Sequence, residues 1–461
     1  MKILLISANT ATEPYPVYPL GLDYVAGALP DGHDVRITDL HTHDNKRLAE
    51  TIRRFSPDIV GISLRNVDTT DSTRPLGFME SYRSLVDTVR AHSNAVVILG
   101  GSGLTIFPDE MMKALGADYG IMGEGERITR LIDALENRRD VSGIPGVVTR
   151  DTRSPMPAPW EEGIVRKFSR ESDYLAYYLK NGGMLNLQTK RGCHFNCIYC
   201  TYPHIEGRKL RLVEPAAVAE TAKGLEAAGA KYLYMTDAVF NSDSAHNIAV
   251  ARALKKAGVS VPWGAFFAPL DPPPDYYRIL ADSGLTHVEF GTESLSDRVL
   301  RSYQKPFKAG HVMAAHRAAV DAGLFVAHYL LLGGPGENGE SLDKTLQNMD
   351  KLDRAVMIVF CGIRIYPNTP LFEIAVREGQ ISEDDSLLEP VFYRSAGIAP
   401  EEIAGRVSEL AKSRSNWLIG SGNPDTAKGI MRLYRLGLTG PLWERLICGR
   451  NKRSHSPVRI G

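Results

Sequence analysis

Three cysteines lie within eight residues of this chain, at Cys193, Cys197 and Cys200. Thiolates are the usual protein ligands of iron–sulfur clusters, and each of the four irons in a cubane 4Fe-4S cluster takes one external ligand. Three thiolates from one loop would therefore hold a cluster and leave one iron open to another molecule. The spacing predicts a 4Fe-4S site at which chemistry can occur.

Zinc is the first alternative, because thiolates bind it equally well and His194 or His204 could complete a tetrahedral set. Structural zinc sites usually combine two short Cys or His pairs from separate stretches, and no second pair accompanies this loop. Buried, unreactive thiols are the second alternative. The asymmetric run of three cysteines favours the iron–sulfur cluster over both.

The composition is that of a large protein without a dominant charge. The 461 residues include 54 Lys and Arg against 54 Asp and Glu, so no global field would attract nucleic acid. No run of about 18 apolar residues predicts a transmembrane segment. Five cysteines, three of them in one loop, do not form a disulfide framework, and such a cluster needs a reducing compartment. We therefore expect a cytoplasmic protein, with Cys361 as a buried thiol in an apolar strand.

The first part of the chain, residues 1–135, alternates apolar runs with amphipathic segments, as in a doubly wound parallel α/β sheet of the Rossmann-like type. The predicted strands are residues 3–7, 34–38, 59–63, 95–99 and 119–122. Ligands of such sheets bind at the carboxyl ends of the strands. The candidate binding residues there are Thr10, Ser63, Leu64, Arg65, Gly100, Gly101, Gly123, Glu124 and Gly125. The spacing alone is compatible with a nucleotide, a flavin or a purely structural domain.

The second part begins after a proline-containing linker, residues 136–183, for which one helix is predicted over 172–179. Six strands then alternate with helices, at residues 184–189, 232–235, 261–267, 287–290, 324–332 and 356–365. Residues 184–395 therefore predict a partial (β/α)6 TIM-type barrel, with the cysteine loop at the carboxyl end of its first strand, where such folds carry their chemistry. Residues 396–461 predict a helical region, including a helix over 403–418, and a basic tail.

The cysteine spacing, with aromatic Tyr199 just before Cys200, resembles the signature of the radical S-adenosylmethionine (SAM) superfamily. The resemblance implies that the open iron binds the amino and carboxylate groups of SAM, that Tyr199 lies near the adenine, and that one electron cleaves SAM to a 5′-deoxyadenosyl radical. SAM also needs carboxylates for its ammonium and ribose, a cation for its carboxylate and open backbone for its adenine. The strand ends offer Asp237, Glu293, Ser294, Gly333, Gly334 and Arg364 as SAM-binding candidates.

The N-terminal part resembles the cobalamin-binding domain that is fused ahead of many radical SAM domains. The similarity lies in residues 18–22, 57–63, 100–101 and 121–126. The first turn, residues 9–15, contains no histidine, and His41 and His43 follow the second strand, so we interpret both as loop residues and not as cobalt ligands. The resemblance implies cobalamin without a histidine ligand, a state suited to passing on a methyl group.

The segment that follows the cysteines, residues 201–208, is similar to cobalamin-dependent radical SAM proteins linked to lipid biosynthesis. The leading hypothesis is a C-methyltransferase acting on an unactivated carbon of a small molecule, with a lipid or isoprenoid as one candidate. A one-electron reductant such as flavodoxin or ferredoxin is the implied protein partner. The alternatives are a radical enzyme that catalyses cyclisation, C–C coupling or rearrangement, and a cobalamin or iron–sulfur sensor without turnover. The basic tail is compatible with peripheral contact with a lipid surface or with capping of the barrel.

Overall fold

The computed structural model describes residues 1–12, 15–420 and 424–448, and these residues form two main parallel sheets with their helices. The structure describes the predicted basic C-terminal tail as far as residue 448, and the contact of this tail with a lipid surface stays a prediction. Among the described helices, none is both long and apolar enough to cross a membrane.

The first sheet contains the five predicted N-terminal strands. Its strands are Lys2–Ser7, Asp34–Asp39, Ile59–Ser63, Val96–Gly100, Tyr119–Ile121 and Val147–Val148. The first five run parallel, and the first strand lies between the second and the third. The sixth, from the predicted linker, is antiparallel and was not expected. The doubly wound parallel sheet is confirmed.

Helices cover the first sheet, which explains why its strands are continuous apolar runs. These helices are Leu20–Ala28, Asn45–Phe55, Met79–His92, Ser102–Ile106, Pro108–Leu115 and Ile128–Glu136, with a short 3₁₀ helix Gly125–Arg127. Helix Asn45–Phe55 begins where the Asp44 carboxylate accepts the Arg47 N–H at 2.8 Å, a favourable N-cap. Its buried face presents Leu48 and Ile52 to the sheet.

The second sheet contains seven parallel strands, one more than predicted. They are Met184–Leu187, Tyr232–Met235, Trp263–Phe267, Leu285–Glu293, Phe325–Leu332, Ala355–Cys361 and Trp417–Ile419. Neighbours in the sheet are neighbours in this order, and the first and last strands lie at opposite edges, as in a partial barrel. The predicted helix over 403–418 was wrong at its end, because Pro400–Ala411 is the helix and Trp417–Ile419 pairs with Ala355–Cys361. Tertiary pairing overrides local periodicity there.

The remaining elements surround the second sheet. The helices are Leu175–Lys180, Tyr202–Ile205, Pro215–Ala227, Ser244–Lys256, Tyr276–Ala281, Asp297–Ser302, Ala309–Asp321, Gly339–Met349, Pro370–Arg377, Pro400–Ala411, Pro424–Arg435 and Arg445–Cys448, with a 3₁₀ turn at Phe240–Ser242. Two small ribbons pair Lys190–Arg191 with Arg211–Leu212 and Ile363–Arg364 with Phe392–Tyr393. The domain boundaries at residues 135, 183 and 395 stay predictions.

Buried ion pairs join the N-terminal sheet to the rest of the chain. We call them the interdomain ion pairs: Asp23 with Arg166, Asp68 with Arg364, Glu124 with Arg191 and Arg211, and Glu126 with Arg191, at 2.7–2.9 Å. In each pair the acid precedes residue 135 and the arginine follows it. Both parts of the chain therefore contribute to one buried, charge-compensated interface.

Candidate functional site

The cysteine loop is held in place by backbone contacts that require a glycine before its first cysteine. Gly192 has φ of 91°, and a Cβ there would lie 2.3 Å from the Lys209 carbonyl oxygen. The Gly192 N–H donates to Glu206 Oε2 at 3.0 Å, and the Cys193 N–H donates to the Gly207 carbonyl at 3.0 Å. The segment after the cysteines therefore folds back and fixes the start of the loop.

The three loop thiols are free and lie within electrostatic reach of one another. Burial, with the neighbouring thiol Cys197 as a further cause, raises the pKa of Cys200 to about 12 and raises that of Cys193. Within the described ranges, no three His, Cys, Asp or Glu side chains are arranged to hold a single metal ion. A cubane cluster does not need that convergence, because each thiolate binds a different iron. The donor set fits a 4Fe-4S cluster better than a tetrahedral zinc site.

Two of the SAM-binding candidates meet beside the cysteine loop. The Tyr199 hydroxyl donates to Glu293 Oε1 at 2.7 Å, and Glu293 is held at a positive φ of 62° at the end of its strand. Lys305, which the sequence analysis missed, places Nζ 3.1 Å from the same carboxylate oxygen and 3.1 Å from the Tyr199 hydroxyl. Lys305 follows helix Asp297–Ser302 and not a strand, so residues at predicted strand ends do not include it.

Two further candidates are engaged in structural contacts. The Asp237 carboxylate accepts from Thr189 N at 2.7 Å and from Lys190 Nζ at 2.8 Å, and both side chains of this ion pair are buried. The Ser294 hydroxyl pairs with the Thr345 hydroxyl at 3.0 Å. These contacts do not favour the expected roles of Asp237 and Ser294 in binding SAM, which stay predictions.

Arg364 is not placed to serve as the free cation that the sequence analysis expected. Its Nε donates to Asp68 at 2.9 Å, and its two terminal nitrogens donate to the carbonyls of Ile365 and Leu387 at 2.6 and 2.5 Å. A fourth bond, at 3.5 Å, joins the guanidinium to the Val391 carbonyl, so four bonds use most of its five N–H donors in a buried site. Lys305 is instead a cation that contacts a cysteine of the loop, with Nζ 3.5 Å from Cys197 Sγ.

The glycine turn predicted to meet adenine packs closely against Tyr303. The Gly334 N–H donates to the Tyr303 hydroxyl at 3.0 Å, and a Cβ at Gly334 would lie 2.4 Å from that oxygen. The Tyr303 carbonyl in turn accepts the Ile198 N–H of the cysteine loop at 3.3 Å. The turn at Gly333 and Gly334 is thus connected to the cysteine loop through one tyrosine, while its contact with SAM stays a prediction.

The same turn contains a buried acid that makes stability depend on pH. Burial raises the pKa of Glu337 from 4.5 to about 7, although the Gly333 N–H donates to its Oε2 at 2.5 Å and opposes the shift. The pKa of Glu337 is higher in the folded protein than in the unfolded chain, so protonation of Glu337 stabilises the fold. This stabilisation is complete below pH 4.5 and is lost as the pH rises through 7. We expect Glu337→Gln to raise the free energy of unfolding at pH 8.5 by up to about 3 kcal/mol.

Denaturant unfolding at pH 8.5 and pH 5 measures this effect. The Glu337→Gln gain should fall below about 1 kcal/mol at pH 5, because the native carboxyl is protonated there and only the unfolded chain is partly ionised. Glu340→Gln, at an exposed position in the following helix, is the control and should change the free energy by less than about 0.5 kcal/mol. An equal gain at both pH values would contradict the assignment.

A cavity of about 450 Å³ lies between the two sheets. Its wall on the N-terminal side includes six of the predicted cobalamin-binding residues: Ser63, Arg65, Gly101, Gly123, Glu124 and Gly125. The opposite wall is formed by the segment after the cysteines, where Tyr202 is 41% exposed onto the cavity, and by Glu206, whose pKa is raised by burial. The strand ends of the first sheet therefore face the residues that follow the cysteine loop.

A narrower apolar pocket of about 100 Å³ continues from this cavity into the first sheet, beside Gly100 and Gly101. A Cβ at Gly21 or at Gly100 would meet no atom within 4 Å, so both glycines leave open space in the pocket wall. The cavity and the pocket together fit a bulky ligand that lies on the strand ends and places one substituent between the sheet and its helices. The residues present therefore fit cobalamin.

Three of the predicted cobalamin-binding residues have other surroundings. Thr10 is exposed and is not among the lining residues, and the Leu64 side chain is buried in the core. Glu124 lines the cavity, but its carboxylate is bound by Arg211 and Arg191 in the interdomain ion pairs. The roles of these residues toward cobalamin stay predictions, and the position of Thr10 and the ion pairs of Glu124 do not favour direct binding.

The histidines of the second turn do not line the cavity either. His41 stacks on Tyr177 with ring centroids 5.0 Å apart, and burial lowers its pKa to about 4. His43 interacts with the Thr42 hydroxyl at 3.0 Å. Their placement agrees with the interpretation that both are loop residues.

Comparison with known proteins agrees with this division of the site. Residues 6–132 match the B12 binding domain, and residues 187–349 match the radical SAM superfamily. An uncharacterized methyltransferase of Pyrococcus horikoshii is 28% identical over 82% of this chain and 83% of its own length. Tryptophan 2-C-methyltransferase of Streptomyces laurentii is 26% identical over 79% of this chain and 73% of its own.

A solved structure shares the same fold over nearly its whole length. The radical SAM methyltransferase TsrM of Kitasatospora setae, solved with its tryptophan substrate and a SAM analogue, superposes with a TM-score of 0.84, and the match covers 97% of this chain and 98% of that one at 22% identity. The two matched domains together account for more than half of the chain, and their cofactors are cobalamin, SAM and a 4Fe-4S cluster. The chain therefore belongs to the radical SAM superfamily, as an enzyme with a B12-binding domain ahead of its radical SAM domain.

Proposed function

We propose that this enzyme is a cobalamin-dependent C-methyltransferase that modifies an unactivated carbon of a small molecule. The observation that carries the proposal is the 450 Å³ cavity, because the strand ends of the B12-binding domain form one wall and the segment following the cluster ligands forms the other. Cobalamin supplies a methyl group and the cluster with SAM supplies a radical when they are bound. The protein's contribution is to hold both cofactors against one shared space.

The side chains of this space position ligands and limit water. On the cobalamin side, Arg65 offers an exposed cation, and Asn9 has a buried Nδ2 without a hydrogen-bond partner. Unpaired buried donors are costly, so the Asn9 amide is suited to meet an acceptor of a bound ligand. On the cluster side, the Tyr202 ring supplies an apolar surface beside Glu206. These groups offer a cation, an amide donor and an apolar ring to ligands bound in the cavity.

The concave face of the second sheet suggests an apolar or aromatic methyl acceptor. Phe266 is 37% exposed, and its ring lies 5.5 Å from those of Tyr234 and Tyr329. The residues that alternate with them face the helices, as Phe267 does toward Tyr277. A lipid or isoprenoid acceptor, which the sequence analysis names as a candidate, is compatible with this aromatic wall.

The same face of the second sheet also carries one acidic residue, Glu289, whose surroundings are polar. Glu289 accepts from the Tyr329 hydroxyl at 2.8 Å and from Trp443 Nε1 at 3.1 Å. Burial raises the pKa of Glu289, which favours its neutral form. An acceptor with an uncharged end suits this face better than one that ends in an anion.

Electron supply requires a partner, and the proposal includes a one-electron reductant such as flavodoxin or ferredoxin. His194 and Asn196, between the first two cluster cysteines, are exposed and leave the loop accessible to a protein. Free thiols in the loop are compatible with the reducing cytoplasm, where we expect the enzyme to act.

The test uses the full chain reconstituted anaerobically with iron, sulfide and cobalamin. SAM carrying a deuterated methyl group, titanium(III) citrate and a panel of isoprenoid, fatty-acyl and indole acceptors are added, and products are measured by mass spectrometry. We expect S-adenosylhomocysteine together with 5′-deoxyadenosine and a deuterated methyl group in one acceptor. Deoxyadenosine without S-adenosylhomocysteine would support a radical enzyme that transfers no methyl group. Tight cofactor binding with neither product would support a sensor.

A further inference from the structure

A buried ammonium group lies against one of the three cluster cysteines. Lys305 Nζ is 3.5 Å from Cys197 Sγ, within the range of an N–H···S hydrogen bond, and the Lys305 side chain is only 7% exposed. The same nitrogen is 3.1 Å from Glu293 Oε1 and 3.1 Å from the Tyr199 hydroxyl. One cation therefore contacts a cluster ligand, a carboxylate and a phenol together.

The surroundings keep this ammonium in place and charged. The aromatic rings of Phe307 and Tyr199 lie 5.3 and 5.7 Å from Nζ, at distances typical of cation–π contacts. The backbone N–H of Lys305 donates to the Leu300 carbonyl at 2.9 Å and fixes the start of the side chain. The Glu293 carboxylate, 3.1 Å from Nζ and also buried, is the counter-charge of this ammonium.

We propose that Lys305 is a positioning residue for the iron–sulfur cluster. Its ammonium group donates a charged hydrogen bond to the Cys197 sulfur, and this bond makes the cluster easier to reduce. Reduction adds one negative charge to the cluster, and hydrogen bonds to the sulfurs together with nearby charge determine its reduction potential. A buried cation is screened little by solvent, so its effect on the added electron is strong. Lys305 touches a ligand and not the reacting carbon, so it acts through the cluster.

Two other cations, Lys308 and Arg364, lack the contact that Lys305 makes with a cluster thiol. Lys308, three residues further along, is exposed, so its charge is screened by water and should have little effect on the cluster. Arg364, the cation that the sequence analysis expected near SAM, is bound to Asp68. Lys305 is thus distinguished from these neighbouring and predicted cations by its direct contact with a cluster thiol.

The test is a redox titration of the reconstituted full-length protein, with the reduced cluster followed by electron paramagnetic resonance. We expect Lys305→Met to shift the equilibrium toward the oxidised cluster at least about tenfold, which is about 59 mV for a one-electron couple. Lys305→Arg should retain a midpoint close to that of the native protein, because it keeps the charge. Lys308→Gln is the matched control and should leave the midpoint unchanged.

Iron and sulfide content are measured for every variant, and no turnover is required, so the outcome does not depend on whether a methyl group is transferred. If Lys305→Met fails to take up a cluster, Lys305→Gln, which keeps N–H donors without the charge, is titrated in its place and should shift in the same direction. An unchanged midpoint in a fully loaded Lys305→Met or Lys305→Gln protein would overturn the proposal. Loss of the cluster in Met, Gln and Arg variants alike would also overturn it, because it would indicate packing and not charge.

Discussion

Cys197→Ala is expected to abolish assembly of the 4Fe-4S cluster and, with it, every product derived from SAM. Two thiolates would remain in the loop, which leaves a second iron of a cubane cluster without a protein ligand. The loop would keep the hydrogen bond from the Tyr199 hydroxyl to Glu293 at 2.7 Å and that from the Cys193 N–H to the Gly207 carbonyl at 3.0 Å, so we expect it to stay folded. Charge-transfer absorbance of the reconstituted protein and its iron content measure the result.

Cys361→Ala is the matched control, because Cys361 is also a buried free thiol but lies at the end of strand Ala355–Cys361. Its loss should cost about 1 kcal/mol of unfolding free energy, as for a typical core truncation, and leave the cluster intact. Full cluster absorbance in Cys197→Ala, or loss of absorbance in Cys361→Ala, would contradict the assignment of the ligands.

Gly100→Leu is expected to weaken cobalamin binding about tenfold to a hundredfold without unfolding the protein. A Cβ at this position meets no atom within 4 Å, so the new side chain would occupy the apolar pocket and not collide with the core. A ligand forced against an overfilled site loses about 1–3 kcal/mol, which corresponds to that loss of affinity. Equilibrium dialysis of the chain against hydroxocobalamin measures the affinity, and thermal unfolding checks the fold.

The control is Gly32→Leu, at a turn before the second strand where a Cβ also meets no atom within 4 Å. Gly32 is not among the residues that line either pocket, so this variant should bind cobalamin like the native chain. Unchanged affinity in Gly100→Leu would argue that cobalamin does not use the apolar pocket.

The sequence predicted the sheets well because their strands are buried on both faces and therefore appear as apolar runs. The five N-terminal strands and the six strands of the partial barrel were all found, with shifts at their ends. Val147–Val148 and Trp417–Ile419 were not found, because the first lies in the proline-containing linker and the second at the end of an amphipathic helical pattern. Their pairing is decided by neighbouring strands that are distant in sequence.

The site was predictable where chemistry depends on local spacing and not where it depends on long-range pairing. The cysteines and the glycine-containing turns share one loop or one strand end, so their types and positions were enough to identify them. The partners of Asp237 and Arg364 could not be read from the sequence, because Arg364 binds an acid 296 residues earlier in the chain. Lys305 shows the converse, since it reaches the site from 108 residues beyond Cys197 without a motif.

The interdomain ion pairs have a consequence for engineering chimeras of this enzyme. Fusing its B12-binding part to the barrel of a relative would bury Asp68, Glu124 or Glu126 without a matching arginine wherever the relative lacks one. Each buried acid left without its partner costs about 3–5 kcal/mol, comparable with the whole stability of many domains. A chimera should therefore keep each carboxylate together with its arginine. In practice the two domains of this enzyme have to be exchanged together, as one unit.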